Sequence, residues 1–194
     1  LADGDFPSHP LALEWLRQCP YVVCCDGAAN TYIRSGRMPE AIVGDGDSLL
    51  PDIKERYASL IHSEAEQETN DLSKAFRFCL SQERKRITIM GATGKREDHT
   101  IGNVSLLADY MEQAEVSMMT DYGIFVPIRE DSMFESYIGQ QISVFNMNST
   151  ALSAEGLAYP LSVFTNWWQG TLNEALARHF IIRTEGKVLV FRVF

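Results

Sequence analysis

Between residues 21 and 120, short apolar runs rich in β-branched side chains alternate with segments of helical periodicity. Such alternation buries its strands in a mostly parallel sheet covered by helices. Residues 21–25, 41–44, 60–62, 86–90 and 115–120 read as strands. Residues 10–18, 51–59 and 69–80 read as helices; a short one ends near Gly36, a plausible C-cap, and another runs to about Met111. Leu72, Ala75, Phe76, Cys79 and Leu80 form one apolar stripe, and Ile101, Val104, Leu107, Ala108 and Met111 another. After residue 122 the texture changes. Residues 124–128, 141–145, 180–182 and 188–191 are strand-like and glycines punctuate them, with one short helical possibility at 172–177. That half predicts an antiparallel sandwich or small barrel, with the boundary at 122–124.

The turn that closes the strand at 86–90 is Gly91-Ala92-Thr93-Gly94-Lys95-Arg96-Glu97-Asp98-His99-Thr100. A glycine-bearing turn from strand to helix presents free backbone N–H groups and a positive helix end, where phosphate binds well. Arg96 adds a planar cation suited to phosphate oxygens, and Asp98 a carboxylate. The glycines are too close for a Walker loop, and Arg96 stands where Ser or Thr would follow the lysine. The plainer reading is a structural turn with Asp98 as helix N-cap.

Asp26, Asp45, Asp47, Asp71 and Asp98 all fall just beyond strands or at helix starts, positions that share the carboxyl edge of a parallel sheet. Asp45 and Asp47, two apart, face one side if the backbone is extended. Close carboxylates repel unless a cation lies between them, and Mg²⁺ with substrate phosphates suits such a set. The competing reading is two solvated turn aspartates. Lys74 falls in the first turn of the helix at 69–80, where the macrodipole disfavours a cation. Either it pairs with Asp71 or it serves a bound anion; the phosphate loop on the same edge favours the anion.

The net charge of −9 argues against nucleic acid, and no apolar run reaches the length of a membrane span. The chain shows no signal peptide, and it begins with Leu1, as if inside a longer chain, with Leu1-Ala2 as the tail of a first strand. Cys19, Cys24, Cys25 and Cys79 lack zinc-ligand spacing and read as reduced thiols of a cytoplasmic protein. Met118, Met119, Phe76 and Phe78 read as core. His9 and His62 suggest no ligand role.

Four stretches in order resemble the thiamine pyrophosphokinase (thiamine diphosphokinase) family: 26–30 (DGAAN), 44–48 (GDGDS), 67–75 (QETNDLSKA) and 91–99 (GATGKREDH). Two more in the second half, 156–161 (GLAYPL) and 170–174 (GTLNE), look like that family's C-terminal signatures. The resemblance implies an α/β nucleotide-binding catalytic domain over 1–122 and a β-sandwich thiamine-binding domain over 123–194. It implies transfer of a pyrophosphoryl group from ATP to the thiamine hydroxyl, giving thiamine diphosphate and AMP. Asp45, Asp47 and Asp71 then resemble Mg²⁺ ligands, with Asp26 close by and Asp98 a further one, and Lys74 and Arg96 resemble phosphate contacts. Asn30, Thr93, Gly94, His99 and Asn103 are candidates around ATP; Gln67 and Asn173 are candidates for thiamine. Trp167 and Trp168 have core or edge packing as their default and stacking on thiamine as the alternative. A homodimer with thiamine at the subunit interface is also implied. Two positions depart from the family pattern: Lys95 replaces a small residue, and Leu172 stands where Ser precedes Asn-Glu. The competing functions are a Mg²⁺-dependent phosphohydrolase and a nucleotide-sensing module without turnover.

Overall fold

Strands and helices alternate through the first half as the side-chain periodicity requires. The computed structural model describes residues 1–64, 66 and 68–194. They divide into two units, Leu1–Leu106 with Met119–Asp121, and Leu107–Met118 with Tyr122–Phe194. The order is α1 (Pro10–Gln18), β1 (Val23–Cys25), α2 (Ala28–Arg34), β2 (Ala41–Gly44), α3 (Pro51–Arg56), β3 (Ile61–Ser63), α4 (Asp71–Ser81), β4 (Arg86–Met90) and α5 (Glu97–Tyr110). β1, β2 and β3 form a parallel sheet in that order, with Cys25 level with Val43 and Val43 level with His62. Every residue of β1 and β2 is buried, as a strand covered on both faces demands.

Residues 1–5 lace β1 to β4. The Leu1 ammonium donates to the Val23 carbonyl at 2.7 Å, and Cys25 N–H donates to the Leu1 carbonyl at 2.8 Å. Ala2 N–H reaches Met90 O at 2.8 Å, Gly4 N–H reaches Gly91 O at 2.6 Å and Asp5 N–H reaches Thr93 O at 2.8 Å. These bonds tie the opening residues to β1 and β4, but residues 1–5 form no strand, so Leu1-Ala2 is not the strand tail expected.

The second unit holds β5 (Glu115–Met119) up to Met118, β6 (Gly123–Ile128), β7 (Ser132–Glu135), β8 (Gln141–Asn146), β9 (Leu152–Glu155), β10 (Asn173–Glu174), β11 (His179–Thr184) and β12 (Val188–Val193). One sheet runs β10-β8-β12-β6-β5; β12 is antiparallel to β6 and β8. The other runs β7-β11-β9, also antiparallel. Ile142 and Val144 of β8, Val188 and Val190 of β12, and Phe180 and Ile182 of β11 share one apolar core. Phe134 stacks on Phe180 across β7 and β11, ring centroids 5.2 Å apart. The protein is thus a mixed α/β chain with a parallel three-stranded sheet and antiparallel sheets.

Several expectations are corrected. The helix expected over 51–59 stops at Arg56, and a separate 3₁₀ turn covers Ala58–Leu60, because Tyr57 leaves the helical region at φ −112°. No helix forms over 172–177; Leu172 takes φ +64°, which a helix cannot use, and β10 follows. β7 and β9 were not expected, since each buries a single residue, Phe134 or Leu152, and shows no apolar run. Ile101 of the expected α5 stripe is 60% exposed, while Leu107 is buried. Phe76 is core, but Phe78 is half-buried and rests against the His62 ring, 4.5 Å between centroids.

Candidate active site

Because β1 and β2 are parallel and level, the loops that follow them leave from adjacent points. Asp26 heads the first loop at φ +33° and is buried. A Cβ on Gly44 would come 2.8 Å from that of Asp26, so only glycine lets β2 pass so close. Asp26 Oδ2 accepts the Ser48 N–H at 3.0 Å, whereas Oδ1 is buried with no hydrogen-bond partner. Burial pushes the Asp26 carboxyl above its ordinary pKa; the Ser48 N–H pulls it back, and the charges of Asp45 and Asp71 push it further up.

Asp45 is half-buried and accepts the Asp47 N–H at 3.1 Å across Gly46, which takes φ +77°. The segment is a turn, so the extended-strand argument for a shared face of Asp45 and Asp47 does not hold. Asp47 is exposed. Lys54 of α3 anchors the turn, its ammonium donating to Gly46 O at 2.9 Å. Asn30, expected near ATP, clamps the same loop: its amide donates to Ser48 O at 2.8 Å and accepts from Leu50 N at 3.0 Å.

Asn70 caps α4 by accepting the Ser73 N–H at 2.9 Å. One turn in, Lys74 is only 3% exposed and donates to Asp71 Oδ1 at 3.1 Å. Of the two readings of Lys74, the structure shows the pairing with Asp71; a contact with a bound anion belongs to the proposal below. A buried ammonium is tolerated only when such partners offset its lost hydration. Gln67 lies outside the described residues.

In the loop after β4, Gly91, Gly94 and Lys95 all take positive φ, at +66°, +78° and +56°. Arg96 grips Asp98 with both arms of its fork, Nε to Oδ1 at 3.1 Å and Nη2 to Oδ2 at 2.5 Å. That grip raises the Arg96 pKa and holds the Asp98 carboxyl below the usual range. Asp98 Oδ1 also accepts the His99 N–H at 2.9 Å. Asp98 is thus paired with Arg96 on the exposed surface, and it is the second residue of α5, not its N-cap. Asn103 ties this loop to the start of α4: it donates to Ala92 O at 2.9 Å and accepts from Asn70 at 3.3 Å. Thr93 is half-buried; Gly94 and His99 are exposed.

In the second unit, Trp167 and Trp168 form an exposed 3₁₀ turn (Trp167–Gly170), with Trp168 73% exposed, so neither is core. Trp167 packs edge-on against Phe145 at 6.0 Å. A Cβ on Gly170 would collide with the Val144 carbonyl, so glycine seats this turn on β8. Leu172 is 76% exposed. Asn173 is buried: it accepts from Tyr159 N at 3.1 Å and Glu174 N at 2.9 Å and donates to Tyr159 O at 2.8 Å. Its amide holds the 156–160 loop.

Among the described residues, no three Asp, Glu, His or Cys side chains stand close enough to hold a metal ion unaided. The buried, partnerless Asp26 Oδ1 beside Asp45 and Asp71 nevertheless fits a hard cation whose remaining ligands come from elsewhere. Sequence reasoning missed Asp3, Lys54 and Asn70. Asn70 carried a capping signal; Asp3 and Lys54 carried none, because only tertiary folding brings them to the site.

Residues 12–119 match the thiamin pyrophosphokinase catalytic domain family, and residues 123–191 match the thiamin pyrophosphokinase substrate-binding domain family. The chain is 30% identical over 129 residues to thiamine pyrophosphokinase 1 of Oryza sativa subsp. japonica, covering 54% of this chain and 49% of that one. It is 34% identical over 86 residues to the Bacillus subtilis thiamine pyrophosphokinase, covering 42% and 40%. The chain thus spans about half the length of the curated relatives it matches. The crystal structure of the Bacillus subtilis thiamine pyrophosphokinase is similar at a TM-score of 0.84 and 21% identity, covering 99% of this chain and 96% of that one. A thiamin pyrophosphokinase from Candida albicans is similar at a TM-score of 0.79 and 18% identity, covering 100% and 88%. These structural likenesses concern the fold.

Proposed function

The chain belongs to the thiamine pyrophosphokinase family, and on that premise we propose that it transfers a pyrophosphoryl group from ATP to the hydroxyl of thiamine. We read it as an N-terminal α/β catalytic domain (1–122) followed by a C-terminal β-sandwich that holds thiamine (123–194). One observation carries the chemistry: Asp26 keeps a buried, unpartnered carboxylate oxygen among the charges of Asp45 and Asp71, with buried Lys74 on Asp71. Such a site is incomplete without a cation and the anion that cation brings.

In this reading Asp45, Asp47 and Asp71, with Asp26 close by and Asp98 a further ligand, would hold Mg²⁺ together with the substrate phosphates. Bound there, the ion neutralises phosphate charge and polarises the phosphorus. The thiamine oxygen attacks the β-phosphorus of ATP, the bond from that phosphorus to the α-phosphate oxygen breaks, and AMP leaves. The hydroxyl proton passes to the carboxylate cluster, Asp47 or Asp71. Lys74 supplies a fixed positive charge whose reorganisation was completed on folding. Arg96 is exposed, so it can leave Asp98 for the phosphates, its planar fork suiting two oxygens at once. Asn30 and Asn103 act by holding the loops after β2 and β4. Asn173 shapes the 156–160 loop, and Trp167 and Trp168 offer exposed ring faces to the cationic thiazolium or the pyrimidine. We further place thiamine at the interface of a homodimer, and the protein in the cytoplasm, where its four free thiols stay reduced.

The test is nucleotide chromatography of the protein with ATP and Mg²⁺, with and without thiamine. AMP and thiamine diphosphate in equal amounts, only when thiamine is present, is the expected result. ADP or free phosphate formed regardless of thiamine would make the protein a phosphohydrolase. ATP binding without turnover would make it a sensing module.

A further inference from the structure

Lys95 departs from the family pattern, and its surroundings give the departure a partner. It occupies left-handed backbone at φ +56°, a conformation that suits glycine and disfavours a long side chain. Its side chain is about half exposed. It reaches back to the first residues of the chain and donates to the Asp3 carbonyl at 2.7 Å and to Asp3 Oδ1 at 3.2 Å. The other Asp3 oxygen lies at the start of α2, where a Cβ on Gly27 would stand 2.8 Å from it. Asp3 thus touches the loop after β1 and the loop after β4 together. The backbone on both sides is equally close. Gly4 and Asp5 donate to Gly91 O and Thr93 O, and a Cβ on Gly4 would collide with both of those carbonyls.

We propose that Asp3 and Lys95 form a clamp that sets the loop after β4 for the nucleotide's phosphates, which makes Asp3 a positioning residue for ATP. The proposal rests on reading residues 91–96 as the phosphate loop. Lys95 serves this loop by holding Asp3, not by touching phosphate. Both side chains are about half exposed, so the pair adds little to overall stability. What it fixes is the course of a loop with three left-handed residues.

The test compares Lys95→Gly, Asp3→Ala, the double variant and Lys95→Arg with the unaltered protein. It uses ATP affinity by titration calorimetry, steady-state kinetics and thermal melting. Loss of either partner is expected to weaken ATP binding and raise the ATP KM by about threefold to fivefold, with kcat nearly unchanged. The double variant should be no worse than the single ones, and Lys95→Arg should stay close to the unaltered protein. Lys95→Gly should melt no lower, because glycine relieves the left-handed position. A residue that merely held the fold together would instead lower the melting temperature. If Asp3→Ala leaves ATP affinity unchanged or improves it while Lys95→Gly weakens it, Lys95 contacts phosphate directly and the clamp is refuted. An unaltered protein that binds ATP but makes no thiamine diphosphate overturns the proposed function and leaves the clamp standing on the calorimetry. One that binds no ATP overturns both.

Discussion

Asp26 carries its charge where water does not reach one of its oxygens and two other carboxylates push against it. The ordinary pKa of such a group is about 3.9, and folding raises it. The folded protein therefore binds the proton more tightly than the unfolded one. Below the unfolded value this group costs nothing; as pH rises through the folded value the penalty appears and stays. Asp26→Asn removes that penalty. In Mg²⁺-free buffer at neutral pH the variant is expected to melt about 2–5 °C above the unaltered protein. The gap should close as pH falls toward 4, and the variant should lose turnover at every pH. Equal melting curves for the two across pH 4 to 8 would show that Asp26 bears no such strain. At this scale the sequence was legible in kind more than in contact. Asp26, Asp45, Asp71 and Lys74 lie in one unit, and the pairing of Asp98 with Arg96, two residues away, was not foreseen. Asn30, Asn103 and Asn173 also hold loops by hydrogen bonds that no spacing records, because an amide's partners are set by tertiary folding.

At the scale of elements, the strands that carried continuous apolar runs were legible, and those that did not were missed. β4 coincides with its expected 86–90, its β-branched run Ile87-Thr88-Ile89 leading into buried Ile89 and Met90. β7 and β9 lie at the edges of their sheet and bury one residue each, so they leave almost no pattern. The helix anticipated over 172–177 gave way to a short strand after the left-handed Leu172. The turn Trp167–Gly170 depends on a single glycine that has no room for a Cβ against Val144. Gly170→Ala is expected to destabilise the second unit by about 1–3 kcal/mol, as overpacking does. It should also lift Trp167 from Phe145, changing tryptophan emission. Unaltered emission and denaturant midpoint would mean that β8 yields to the methyl group without cost.

For the molecule as a whole, the change of texture near residue 122 predicts two kinds of architecture, whereas the two units divide elsewhere, with Leu107–Met118 in the second and Met119–Asp121 in the first. The homodimer rests on family resemblance, so its test must be direct. Light scattering is expected to return about twice the 21.8 kDa chain mass, and specific activity should fall on dilution below the dimer's dissociation constant. A mass of one chain with full activity would remove the shared thiamine site. The lacing of residues 1–5 to β4 has a consequence in time. Ala2, Gly4 and Asp5 are made almost ninety residues before their hydrogen-bond partners Met90, Gly91 and Thr93. At about 5–20 residues per second, these groups wait on the order of 5–20 s before they can close. The carboxyl-edge loops therefore take their final form late in synthesis, well after β1 and β2 have emerged. A nascent chain stalled before residue 90 would expose Gly4 and Asp5 to proteases that the finished protein resists.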